Sequence, residues 1–240
     1  MKCFKDKRLF DEGYSFDWDI PVERVPHALI VGASGAGKTF ATKLFLASFA
    51  YSYPDSQFLI ADYKADSDFA FLENSLAFKK FETVSEILFK GLEILEKRQR
   101  GQDISRNFIL ICFDEFNAWQ NSLDRKAREQ AIKDFTRLIQ LGRSFKIYVA
   151  VAQQDAHKNS LSLSRDSIGT VIALGKLSKE TISMLFSDEK ESIISNNPRG
   201  VGYMKIGGKS SRLIVVPSYK IIPIERLIKK AVERSNCYFE

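Results

Sequence analysis

The segment Gly32-Ala33-Ser34-Gly35-Ala36-Gly37-Lys38-Thr39 matches GxxxxGK[ST] at every fixed position, and it constrains the fold of the whole chain. It follows the apolar run His27-Ala28-Leu29-Ile30-Val31. It precedes a stretch from Lys38 to Ser52 whose apolar residues Phe40, Leu44, Phe45 and Ala47 recur at helical spacing. A strand must therefore feed a glycine-rich turn that opens a helix. Glycines let the backbone wrap an anion with several N–H groups facing inward, and the first helical turn adds its positive dipole end. In such a loop Lys38 reaches the β and γ phosphates of ATP, and the Thr39 hydroxyl holds the Mg2+ that bridges them. The expected phosphate-binding residues are Gly32, Ala33, Ser34, Gly35, Ala36, Gly37, Lys38 and Thr39.

The rest of the pattern extends this unit into an α/β domain. Residues Met1 to Val25 read as a short lead-in, with Tyr14 to Asp19 alternating like an exposed strand or hairpin arm, and 26–240 as the domain proper. Strands are expected at Gln57 to Asp62, Phe108 to Phe113, Ile147 to Ala152 and Thr170 to Leu174. Helices are expected at Ser85 to Arg100, at Lys126 to Leu141 with Gly142 as the stop, and at Ser178 to Phe186. Gly200 to Ile206 and Ser211 to Val216 read as a hairpin. This alternation predicts a mostly parallel sheet between helices, with an antiparallel C-terminal edge. A functional loop is expected to start at Asp62-Tyr63-Lys64.

Composition excludes several other chemistries. The 240 residues, 45% of them hydrophobic, suffice for one domain with a buried sheet. The apolar runs are strand-sized and fall well short of the roughly 20 residues a membrane helix needs. No apolar h-region follows the charged N-terminus, so the expectation is a cytoplasmic protein without a membrane span. Cys3, Cys112 and Cys237 are far apart and form no CxxC or Cys/His cluster, which predicts reduced thiols and no zinc. With only His27 and His157, histidine chemistry finds little support. The net charge of +6 suits a polyanionic partner.

Asp114 closes the apolar run Phe108 to Phe113, so its carboxylate emerges at the carboxyl edge of the sheet, where ligands of open α/β folds sit. There it can hold magnesium through water or Thr39. Glu115 follows at once and can orient or deprotonate the attacking water, which argues for hydrolysis rather than kinase-type transfer. The alternative is that the pair merely caps the following segment.

Four further segments carry a family resemblance: Pro26 to Gly32 leading into the loop, Asp114-Glu115-Phe116, Leu138-Ile139-Gln140-Leu141-Gly142-Arg143, and Val151-Ala152-Gln153-Gln154. Ile60 to Lys64 and Gly200 to Met204 add to it, so that it spans about residues 26 to 216. Together they resemble the FtsK/SpoIIIE/HerA class of DNA-pumping ATPases, which includes conjugative coupling proteins and viral packaging ATPases. The resemblance implies a RecA-like (ASCE) P-loop fold and a homo-oligomeric ring, a hexamer, around double-stranded DNA bound without sequence preference. It also implies that Arg143 reaches a neighbouring subunit's nucleotide, and that Gln154, with Gln153 one residue earlier, senses the γ-phosphate. A permanently charged guanidinium that matches phosphate oxygens bidentately suits the first role. Lys146 departs from the family, which often has glycine there.

In a ring, DNA would be held by phosphate contacts, and the basic segments Asn117 to Arg128 and Asp155 to Arg165 are the candidate loops, with Lys97 to Arg100 a weaker third. Recruitment to a membrane or capsid portal would need a partner protein, for example a relaxase or a capsid component. A different class of function shares the same motifs: a switch or assembly protein that hydrolyses ATP slowly and moves no DNA.

Overall fold

A computed structural model describes residues 1–156, 167–218 and 223–240. In chain order, β1 (Lys2–Asp6), α1 (Lys7–Asp11) and β2 (Asp17–Asp19) precede β3 (Ala28–Gly32) and α2 (Lys38–Ser52). Then come β4 (Gln57–Asp62), β5 (Phe78–Lys80), α3 (Ser85–Gln99), β6 (Ile109–Asp114), α4 (Phe116–Ser122), α5 (Arg125–Gly142) and β7 (Ile147–Gln153). The described chain ends with β8 (Thr170–Leu174), α6 (Lys179–Leu185), β9 (Val201–Ile206), β10 (Arg212–Val215) and α7 (Ile224–Glu233).

Every residue of β3, β4, β6 and β7 is buried, which is why these segments read as continuous apolar runs without alternation. The ten strands form a mostly parallel sheet flanked by helices, as the order of strands and helices predicts. Two compact units divide the chain: 1–48 with 152–224, and 49–151 with 225–240.

In the first unit the strand order is β2-β1-β10-β9-β8-β3. β3 runs parallel to β8, with Gly32 opposite Leu174, and β8, β9, β10, β1 and β2 then pair antiparallel in turn. The predicted hairpin is β9–β10. The first 25 residues supply β1 and β2 to the same edge, where Cys3 and Phe4 are buried. The Asp6 carboxylate accepts from the N–H groups of Arg8 and Leu9 and so caps α1. Around α2 burial extends to most faces, and Phe40, expected on the core side, is 37% exposed.

In the second unit the order is β7-β6-β4-β5, with β4 parallel to both β5 and β6. α3 buries Ile87, Leu88, Leu92, Ile94 and Leu95, and α5 buries Phe135, Leu138 and Ile139. An ion pair of 2.9 Å between Arg137 and Glu96 ties the two helices. The expected helix stop at Gly142 is displaced. α5 includes Gly142, continues as a tight turn over Arg143–Phe145, and ends at Lys146 with φ 55°. Gly142 is needed for clearance instead, because a methyl group there would stand 2.6 Å from the carbonyl oxygen of Ile147. Lys146 adopts the left-handed conformation that glycine adopts without penalty, so its departure from the family's glycine strains the backbone.

Two basic segments differ from the sequence reading. Asn117 to Arg128 is not an open loop: it comprises α4 and the start of α5, and the Arg128 guanidinium donates to the carbonyls of Gln120, Asn121 and Leu123. In the Lys97 to Arg100 run, Arg98 is 1% exposed, donating to Asp103 at 2.6 Å and to the Phe145 carbonyl at 2.6 Å. Arg98 is thereby committed to holding the turn after α5.

The antiparallel edge depends on a close backbone approach at Gly202, where an added Cβ would lie 2.0 Å from the carbonyl oxygen of Ala173 and 2.8 Å from Cα of Leu174. Because both obstacles are backbone, Gly202→Ala should cost about 3 kcal/mol in chemical denaturation. A loss well under about 1 kcal/mol would mean that β8 and β9 do not approach this closely.

Candidate functional site

The phosphate loop lies in the first unit. β3 delivers the chain to Gly32, and Gly35 and Gly37 take φ values of 81° and 93°, which residues with a Cβ rarely adopt. Those two glycines turn the backbone so that α2 can begin at Lys38. Among the described residues nothing stands within 4 Å of the position a Cβ on Gly35 would occupy. Lys38 is buried at 7% exposure, Thr39 is half-buried, and the Thr42 hydroxyl donates to the Lys38 carbonyl at 3.0 Å. A loop with this conformation and a 15-residue helix behind it fits the phosphate chain of a nucleotide.

Gln153 and Gln154 belong to the same unit. Gln153 is the last residue of β7, fully buried, with its side-chain amide N–H donating to the Asp155 carbonyl at 2.8 Å and its Oε1 without a hydrogen-bond partner among the described residues. Gln154 lies beyond the strand and is exposed. Full burial sets Gln153 apart from the exposed Gln154. Most of the candidate segment Asp155 to Arg165, including His157, Lys158 and Arg165, falls outside the described residues.

The acidic strand tip lies in the second unit. Asp114 ends β6 at 5% exposure, as the apolar run before it requires, and Glu115 follows at 8%. Glu115 takes φ 54° and ψ 44°, a left-handed conformation that costs a non-glycine residue roughly 1–2 kcal/mol. An aromatic cluster holds it there. Phe113 stacks on Trp119 at 5.6 Å and Phe116 lies 4.4 Å from Phe135, so the residues flanking Glu115 on both sides are pinned. Backbone strain of this kind, sustained by surrounding packing, is characteristic of functional positions.

Beside Asp114 stands a carboxylate, Asp62, to which the sequence assigns no role beyond the start of an expected functional loop. In the register of β4 and β6, Asp62 pairs with Asp114, and the N–H of Tyr63 donates to the Asp114 carbonyl at 3.3 Å. Asp62 is 1% exposed. Its Oδ1 accepts from the N–H groups of Lys64 and Ala65, and among the described residues its Oδ2 has no hydrogen-bond partner. Burial first, then the neighbouring Asp114 charge, pushes Asp62 up to about 6, against the two backbone donors that lower it. The apolar-to-polar switch at Ala61-Asp62 was the available signal, but the pairing of the two acids depends on strand register.

The orphaned Asp62 oxygen beside Asp114 fits a hard cation. Among the described residues no group of three or more His, Cys, Asp or Glu side chains could hold a metal by itself. Magnesium commonly takes one or two carboxylates and completes its shell with water and substrate phosphate.

Arg143 sits at the other end of this unit's strands. It starts the turn after α5, is exposed, and precedes Lys146, whose carbonyl accepts from Ile109 N–H at the beginning of β6. Asp114 ends that strand five residues on, about 16 Å away at roughly 3.3 Å per residue. Arg143 is therefore not brought to its own chain's acidic tip. Among the described residues no helix is long and apolar enough to cross a membrane.

No family model matches the chain. An FtsK domain-containing protein of Bacillus subtilis (strain 168), YdcQ, is 26% identical over 202 residues, covering 77% of this chain and 42% of that protein. The cytoplasmic domain of the type VII secretion ATPase EccC from Thermomonospora curvata superposes with a TM-score of 0.73 at 18% identity, covering 97% of this chain and 30% of EccC. The pCW3 conjugation coupling protein TcpA, in a monomer form with ATPγS, gives 0.68 at 15% identity, covering 90% of this chain and 67% of TcpA. This chain thus spans less than half the length of YdcQ and of EccC. Sheet order, phosphate loop and these superpositions define a RecA-like P-loop protein. The sequence likeness to YdcQ, an FtsK domain-containing protein, agrees with the FtsK/SpoIIIE-type resemblance that the sequence motifs carry.

The Asp62–Asp114 pairing has a measurable consequence in the protein free of nucleotide and magnesium. Because the folded-state pKa of Asp62 is raised, the native state binds this proton more tightly than the unfolded chain. A stability penalty is then present above about pH 6 and relieved as pH falls below the unfolded value of 3.8. Asp62→Asn should raise the thermal midpoint at pH 7.5 by a few degrees, roughly what 1 kcal/mol produces in a domain this size, and lose that advantage near pH 4. A lower midpoint at pH 7.5 would contradict the repulsive pairing.

Proposed function

We propose that the chain is the ATP-hydrolysing subunit of a motor that moves double-stranded DNA through a homo-oligomeric ring, a hexamer. What supports this reading is that one chain carries both a complete phosphate loop, in its first unit, and a strained, buried glutamate directly after an acidic strand end, in its second. Gly32 to Thr39 would wrap the triphosphate, with Lys38 neutralising its outer phosphates. Thr39 and Asp114 would hold magnesium, which supplies charge neutralisation across the phosphates. Glu115 would accept the proton of the attacking water, its carboxylate aimed by the left-handed turn that the aromatic cluster enforces. Gln154, or the buried Gln153 one residue earlier, would register the γ-phosphate at the end of β7.

Arg143 would act in trans. Its distance from Asp114 along β6 supports that reading over a role in its own chain, and an arginine supplied by a neighbour can contribute several orders of magnitude to phosphoryl transfer. The FtsK-domain likeness of YdcQ and the conjugation role named for TcpA support DNA as the translocated polymer. Sequence-independent contact would then rest on phosphate neutralisation, in keeping with the net charge of +6. A membrane-, relaxase- or capsid-type partner would place the ring at its site of work.

ATP hydrolysis measured with and without long duplex DNA tests the proposal. The wild-type rate should rise with DNA, and Glu115→Gln should lose hydrolysis while still binding nucleotide. Arg143→Ala should lose about a thousandfold of the DNA-stimulated rate with nucleotide binding intact. A slow rate indifferent to both DNA and Arg143 would instead identify a switch.

A further inference from the structure

We infer that Arg199 is a cation of the nucleotide site contributed by the same chain, contacting the phosphate groups from the side of β8; this rests on the reading that the loop holds a nucleotide. Two short segments form a collar against the phosphate loop, all within the first unit. Gly175 N–H donates to Val201 O, Leu177 N–H to Ser195 O and Asn197 N–H to Gly175 O, and Lys176 bridges Asn196. The collar is fastened directly to the loop, because Gly200 N–H donates to the Ala36 carbonyl at 2.9 Å.

The approach is close enough to demand small residues. A methyl group on Gly175 would lie 2.7 Å from the Ala36 Cβ. One on Gly37 would lie 3.4 Å from the Gly200 nitrogen and 3.6 Å from Cγ of Arg199. The aliphatic stem of Arg199 therefore lies against Gly37, the residue immediately before Lys38. Among the described residues its exposed guanidinium has no carboxylate partner and no hydrogen-bond acceptor. A permanently charged group with five unused donors, its stem lying against a phosphate-binding turn, is matched by phosphate oxygens. Lys176, on the same collar, is also exposed and has no acid partner among the described residues. No contact with the loop fixes it, which makes it the internal control.

The test is equilibrium binding of a fluorescent ATP analogue with magnesium, competed by inorganic tripolyphosphate. Wild type should bind, Lys38→Ala should not, and Arg199→Ala should weaken both the analogue and tripolyphosphate about tenfold, the loss of roughly one charge-assisted hydrogen bond. Arg199→Lys should fall between, Lys176→Ala should stay within twofold, and the melting temperature without nucleotide should be unchanged in all three. Unaltered binding by Arg199→Ala, or an equal loss in Lys176→Ala, overturns the assignment. So does a loss for the analogue that spares tripolyphosphate, since the contact would then lie on the adenosine. Absence of binding by wild type would instead defeat the nucleotide reading itself, independently of Arg199.

Discussion

Burying a charged or amide side chain is costly unless something compensates it, and this chain accepts that cost chiefly where its central strands end. β4 ends in Asp62, β6 in Asp114 and β7 in Gln153, each at or below 5% exposure, and the loop after β3 leads to buried Lys38. The apolar bodies of these strands supply the burial energy, and their last residues carry groups for which water is not the solvent. Among the described residues two of these groups retain an oxygen without a partner, Asp62 Oδ2 and Gln153 Oε1. A protein selected only for stability would gain by replacing them with apolar residues or by pairing them. Asp62 is retained at a strand end of the same unit that holds Glu115 in a strained conformation, and that combination distinguishes a site from a core.

The parts of this arrangement legible in the sequence are those set by neighbours along the chain. The phosphate loop declares itself because the positive φ angles of Gly35 and Gly37 need glycine, and because an apolar run and a helical spacing flank it. Asp114 is legible because a strand buried on both faces makes its first charged residue a strand end. Asp62 has the same local signature in Ile60-Ala61-Asp62, yet its significance comes from lying opposite Asp114, a relation fixed by register between segments 52 positions apart.

Long-range packing also explains what composition misled. The polar Asn117 to Arg128 stretch resembles a loop, but Phe116 and Trp119 dock on Phe113 and Phe135 and make it a short helix closed by Arg128. The Lys97 to Arg100 run resembles a solvated face, but Arg98 turns inward to meet Asp103 and the Phe145 carbonyl. Burial alone would raise the Asp103 carboxyl. Hydrogen bonds from Arg98 and Ser105 outweigh it and hold the group below the usual carboxylate range. Gly142 looked like a helix stop because glycine so often is one, whereas here it provides clearance for the Ile147 carbonyl and the stop falls to Lys146.

The cations divide by topology. A helix that follows a parallel strand returns along it, so α5 carries its C-terminal turn back to the beginning of β6 and leaves Arg143 at the end remote from Asp114. Arg199 instead precedes β9, which runs antiparallel to β8, so its turn comes to the end of β8 at Leu174 and onto the phosphate loop. Strand direction alone thus assigns one arginine to its own chain's loop and denies the other access to its own chain's acidic tip. On the proposed function, binding can be completed within a subunit while hydrolysis waits for a neighbour. Assembly would then be coupled to turnover by the direction of two strands, without any additional regulatory element.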